Sequence, residues 1–312
     1  MRWARGRRCC TTAAPADGRG RIEAWGEVRA HRVVMVTTRA QLRHLLLSGA
    51  PLADGRLPQV RLDEVRGRAR WRVAADGWRL DAPLLRITDA HGEQVLDGLV
   101  VGGGRRIALL ADEVEARPLL AVAALSDTLP PALRQWMQQA APRAKLADLE
   151  VAGWRGGPLH AQGRIERVAF DPVGDAPGLE GLSGRFEGDG QGWQLALDPR
   201  SGLRFDWPSG FGVVHDMALD GALLAWREGE GWEVGTPALR VDGGDYAADV
   251  RGGLWFQGDG TRPWIGVAAE IADTPVPVAK QCWIHHRMPK AAVDWLDMAL
   301  EGGVVSGGRG LV

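Results

Sequence analysis

Asparagine is absent from this 312-residue chain, lysine occurs only at Lys145, Lys280 and Lys290, and there is a single tyrosine. An excess of Arg, Ala and Gly over Lys and Asn is a mark of GC-rich coding, and no function is read from it. Cysteine is limited to the adjacent Cys9 and Cys10 and the isolated Cys282. That arrangement gives no disulfide framework and no Cys-x-x-Cys spacing, so the common redox and zinc patterns are excluded, while either redox compartment is compatible. No run of about 18 apolar residues occurs, so no transmembrane helix is encoded. The Arg-rich start, Arg2 to Arg8, lacks the apolar stretch of a signal peptide, and any targeting segment is expected to lie outside this chain. Basic and acidic residues balance at 38 and 39 and are interspersed, without the basic stripe of a nucleic-acid binder.

The familiar catalytic signatures are missing as well: no P-loop, nucleophile elbow, zincin helix or EF-hand loop is present. Gly102-Gly103-Gly104-Arg105-Arg106 is friendly to anions but starts no helix, and it reads as a hairpin turn. Cys282, His285 and His286 crowd into five residues with no fourth ligand, which suits packing better than metal. The acidic pairs Asp63-Glu64 and Asp112-Glu113 read as solvated strand positions rather than acid/base couples. No catalytic residue, metal or cofactor is expected, and the chain is not expected to be an enzyme.

Glycine and tryptophan are abundant, at 43 and 14 residues. Trp193, Leu195 and Leu197 alternate with Gln194 and Ala196, and Leu203, Phe205 and Trp207 alternate with Arg204 and Asp206. A period of two places one set of side chains on one face of a sheet. Gly- and Asp-rich breaks such as Asp76-Gly77 and Gly188-Asp189-Gly190 supply the turns between strands. Strand signals dominate from about residue 60. Helical signals are confined to 130–141 and 289–300, each opened by proline, whose missing N–H costs nothing in the first turn. The expected fold is mainly β: an elongated, curved antiparallel sheet shaped as a trough, with two short helices.

An approximate internal repeat is visible. Trp78, Pro83, Leu85, Arg86 and Ile87 recur as Trp232, Pro237, Leu239, Arg240 and Val241, offset by 154 residues. Pro118, Pro130 and Trp136 recur as Pro277, Pro289 and Trp295, offset by 159. The expected organisation is an uncertain segment at 1–50 followed by one β-rich region at 51–312, with copies at about 67–153 and 221–312. Two short helices cannot cover the apolar face of so many strands. That face must meet a second sheet, fold on itself, or contact something apolar. The tryptophans fit either a packed core or a wide apolar groove.

Several segments carry a resemblance. The strands around Pro83-Leu84-Leu85-Arg86 and Pro237-Ala238-Leu239-Arg240, the turn Ala176-Pro177-Gly178-Leu179 to Gly184, the strand end Phe205-Asp206-Trp207-Pro208, and the helix Met288, Pro289, Lys290, Trp295, Leu296 resemble the central region of YhdP-like proteins. These belong with the AsmA-like and TamB-like bacterial envelope proteins. The resemblance implies a segment of a longer protein anchored in the inner membrane, with a periplasmic β-groove that shelters phospholipid acyl chains and supports the outer-membrane barrier. Its partners would be those acyl chains, the remaining segments of the protein, and the two membranes through them. On this reading the groove is lined by Leu80, Leu85, Ile87, Leu195, Leu197, Leu203, Phe205, Val234, Leu239 and Val241. A non-catalytic scaffold domain of the envelope with a closed core is the alternative.

Overall fold

The computed structural model describes residues 14–52, 54–259 and 261–311. The Arg2 to Arg8 start and the Cys9-Cys10 pair lie outside them. The strands are β1 (Ala14–Arg29), β2 (Arg32–Ser48), β3 (Gln59–Val73), β4 (Gly77–Asp89), β5 (Gly92–Gly104) and β6 (Arg106–Glu115), followed by helices α1 (Arg117–Ala123) and α2 (Pro131–Ala140). Then come β7 (Arg143–Trp154), β8 (Leu159–Phe170), β9 (Gly178–Gly188), β10 (Gly192–Leu197), β11 (Gly202–Asp206), β12 (Val214–Glu228), β13 (Gly231–Asp242), β14 (Ala247–Phe256) and β15 (Trp264–Ile271). The chain closes with β16 (Thr274–Pro275), α3 (Val276–Gln281), a 3-10 turn at His285–Arg287, α4 (Lys290–Ala299), β17 (Val304–Val305) and β18 (Gly308–Leu311).

Sixteen strands form one antiparallel sheet whose order follows the chain, with β11 inserted against both β9 and β12; the sheet is not a closed barrel. The sequence reading of a mainly β, meandering antiparallel fold is correct. Two details differ. Among the described residues four short helices are present rather than two, because Pro118 and Pro277 each open a further turn of helix, α1 and α3. Residues 14–48, which carried no distinctive pattern, form the β1–β2 hairpin. Apolar residues there fall in runs, Val33 to Val36 and Leu45 to Leu47, rather than in clean alternation.

The chain divides into two units, Met1–Leu149 and Glu150–Val312. In the first, the core gathers Leu62, Ile87, Leu96, Ala111, Val114 and Ala116, with Leu120 of α1 packed on it. Leu125 and Ala140 are fully enclosed beside α1 and α2. Arg134 of α2 is buried there. Its guanidinium donates to the carbonyls of Ala124 at 3.0 Å and Pro51 at 3.2 Å, and to that of Ala50. One side chain thereby ties α2, the end of α1 and the β2–β3 connection together. Gly49 is required at this junction, since a Cβ would lie 2.6 Å from the Leu125 carbonyl.

In the second unit the corresponding end of the sheet is closed by aromatic rings. Phe211 stands edge-on to Phe205, Trp207 and His215, at 6.2, 5.4 and 5.0 Å between ring centres. Arg287, in the 3-10 turn, pairs with Asp175 at 3.0 Å across the loops.

Candidate functional site

The register of the strands decides which side chains share a face. In the first unit Val65, Gly67, Trp71 and Val73 of β3 pair with Ile87, Leu85, Leu80 and Trp78 of β4. These β3 positions alternate in phase, so Leu80, Leu85 and Ile87 all lie on one face. Leu80 and Leu85 are separated by an odd number of residues and would otherwise point oppositely. A bulge resolves the conflict: Ala82 and Pro83 stand opposite Ala69 alone. Proline sits where the ladder needs no donor.

The second unit repeats the device. Pro237 and Ala238 stand opposite Arg251 alone. Strand β12 serves as the ruler here. Its positions 215, 217, 219, 221, 223 and 225 pair with Phe205, Leu203, Val241, Leu239, Leu195 and Val234. Leu197 lies two residues beyond Leu195 and shares its face. All seven sequence-selected residues of this unit therefore lie on one apolar face, and the three of the first unit lie on one face there.

The face changes character along the strands. At the hairpin ends it is open: Trp71 and Trp78 are 41% exposed and Trp193 is 39% exposed. Ile87, at the helix end of β4, and Leu197 and Leu203, where β10 ends and β11 begins midway along β12, are at most 9% exposed and belong to the core. Leu80, Leu85, Leu195, Leu239 and Val241 are half-buried, Phe205 is half-buried beyond Leu203, and Val234, near the hairpin end, is 37% exposed.

The opposite face is charged. Arg66, Arg68, Arg70 and Arg72 follow one another along β3, and Asp81 accepts from both Arg72 and Arg79 at 2.7 Å. These guanidiniums hold the Asp81 carboxyl below its ordinary value against the opposing effect of burial. In the second unit Arg240 donates to Asp249 at 2.7 Å. Depressions of about 560 and 610 Å³ open on this charged face at the two proline bulges, beside Pro83 and Pro237. Their walls carry arginine and aspartate in mutual pairing.

The remaining sequence candidates disperse. Met288 and Leu296 are half-buried, while Pro289, Lys290 and Trp295 are exposed around α4. Lys290 reaches Asp294 one turn on, at 2.7 Å. Cys282 is half-buried, and burial pushes its thiol up from the ordinary value. No group of three or more His, Cys, Asp or Glu side chains suited to a metal occurs among the described residues. The glycines at 102–104 run into the β5–β6 hairpin as read from sequence. Sequence reasoning missed His215, which is buried with Nδ1 at 3.4 Å from the Tyr246 hydroxyl. Burial pushes that hydroxyl up to about 12. No sequence signal marked the pair, since it forms between strands 31 residues apart.

The resemblance to YhdP-like proteins implies a sheet with an apolar face, and each unit has one. The family model described as YhdP protein matches residues 3–309. The chain belongs to the YhdP family. Comparison with curated proteins and with solved structures finds no match. In this YhdP-family chain the two Pro-x-Leu-Arg strands, β4 and β13, are each the second strand of a four-strand run, β3–β6 and β12–β15. No helix among the described residues is long and apolar enough to cross a membrane.

Proposed function

We propose that this chain is a lipid-sheltering segment of a longer periplasmic protein, non-enzymatic, in which the open apolar face holds phospholipid acyl chains. Membership of the YhdP family supports it, and one structural observation carries it. Ten apolar residues chosen from sequence fall on the apolar face of their own unit, and that face stays open at the hairpin ends. Each methylene moved from water onto such a face gains about 0.8 kcal/mol, so chains are retained without a specific polar pocket. The charged face stays in water, and its paired Arg and Asp side chains keep it soluble.

Uptake of a fluorescent phospholipid from vesicles tests the reading. Leu195→Asp sets a carboxylate on the half-open face, where water reaches it, so the protein stays folded but loses uptake. Unchanged uptake by the folded variant contradicts the proposal.

A further inference from the structure

We infer that lipids on this face have a fixed polarity, with headgroups at the hairpin rim and acyl chains pointing along the strands toward the helix-covered end. The inference rests on the acyl-chain reading above and adds the direction. Three observations carry it.

The first is the distribution of tryptophan. In the first unit Trp71 and Trp78 flank the β3–β4 turn. In the second, Trp193 follows the β9–β10 turn and Trp232 follows the β12–β13 turn, opposite positions 225 and 227 of β12 and so on the apolar face, whereas Trp226, Trp255 and Trp264 pair through Glu233 on the charged face. Tryptophan pairs an apolar ring with an N–H donor, and it settles where hydrocarbon gives way to ester and phosphate groups. Beyond the bulges the face offers Leu85, Ile87, Leu239 and Val241, purely aliphatic side chains that suit methylene tails.

The second is charge. Arg105 in the β5–β6 turn, Arg155 in the β7–β8 turn, Arg227 opposite Trp232, and Arg262 in the β14–β15 loop have no ion-pair partner among the described residues. At the helix end Arg56 pairs with Asp54 at 2.6 Å, Arg287 pairs with Asp175 at 3.0 Å, and Arg134 donates to backbone carbonyls. Unengaged guanidiniums are suited to bidentate contact with phosphate. Arg227 is the most telling, because it shares the apolar face with Trp232 at the rim.

The third is length. Trp78 to Ile87 and Trp232 to Val241 each span ten residues, roughly 30 Å at about 3.3 Å per step. One leaflet of hydrocarbon measures about 15 Å, half of a bilayer core. Acyl chains anchored at the rim therefore end within the strands, ahead of the closed core. Anchored at the helix end, headgroups would meet the rings of Phe205 and Phe211.

Photolabelling decides the polarity. The purified chain, loaded with phospholipid and freed of vesicles, is irradiated with one of two analogues carrying a diazirine in the headgroup or at the end of an acyl chain. Labelled peptides are then mapped by mass spectrometry. The headgroup probe is expected on peptides containing Trp78, Arg227 and Trp232, the chain-end probe on those containing Leu85 to Ile87 and Leu239 to Val241. Arg227→Gln is expected to lose headgroup labelling of its own turn. The reverse pattern, indistinguishable patterns, rim labelling that needs vesicles present, or an unaltered Arg227→Gln map overturns the inference and leaves the acyl-chain reading standing. Failure of both probes to label the apolar face overturns the acyl-chain reading itself.

Discussion

Glu64 shows how a residue legible only as a surface acid acquires a role. The sequence suggested a solvated strand position for Asp63-Glu64. In the fold Glu64 accepts from Gln41 at 2.7 Å, Arg43 at 3.0 Å and Arg66 at 2.6 Å, knitting β2 to β3. Those hydrogen bonds, Gln41's first, hold its carboxyl at about 2 instead of 4.5. A depressed carboxylate contributes stability above its unfolded value and loses it as pH falls through the folded one. Acidification from about 4.5 toward 2 should therefore erode stability, and Glu64→Gln should flatten that part of the curve in urea melts at stepped pH. Leu195 and Leu197 provide a second contrast, two residues apart on one strand. Leu195→Asp keeps the fold because water reaches the half-buried site. Leu197→Asp puts an unpaired charge into the core, which costs several kcal/mol and unfolds the unit. Circular dichroism melts of the two variants should separate widely; equal melts would mean that the face has no open part.

Elements divide into those that sequence announces and those that it hides. Helices near 130–141 and 289–300 were readable because proline opens each and apolar residues recur at helical spacing. They appear as Pro131–Ala140 and Lys290–Ala299. The bulges at Pro83 and Pro237 were readable because proline interrupts an alternation that then resumes in the wrong phase. The β1–β2 hairpin and the burial of Arg134 were not readable. In the first the apolar residues fall in runs rather than in clean alternation, and the second depends on carbonyls more than 80 residues away in sequence. The groove residues were legible as a face but not as a gradient, since whether Ile87 or Leu80 is covered depends on where α1 packs.

The element order β3–β6, α1, α2, β7 recurs as β12–β15, α3, α4, β18, with β16 and β17 added. A duplicated unit is the proposal that this recurrence supports. One observation counts against it: Trp136 is half-buried, whereas Trp295 is 63% exposed. The buried Arg134 has Val293 at its counterpart position. Backbone geometry at the second bulge is testable. Gly252 has φ +121°, and a Cβ there would lie 2.0 Å from the Gly266 carbonyl oxygen, whereas a Cβ on Gly266 meets open space. Gly252→Ala should lower the urea midpoint by the equivalent of about 1–3 kcal/mol, with Gly266→Ala nearly neutral. Similar midpoints for the two would show that the bulge tolerates side chains.

Among the described residues sixteen strands form the sheet, four short helices accompany it, and the apolar face of each unit stays partly open at its hairpin end. Folded proteins seldom leave large contiguous apolar areas to water unless something occupies them. We propose that phospholipid is that occupant. Native mass spectrometry of the purified chain, with extraction and identification of whatever leaves on activation, tests this most directly. The predicted result is adducts that resolve into diacyl phospholipids and disappear in the folded Leu195→Asp variant. A lipid-free spectrum from protein purified without detergent, unchanged after incubation with phospholipid vesicles, would contradict it.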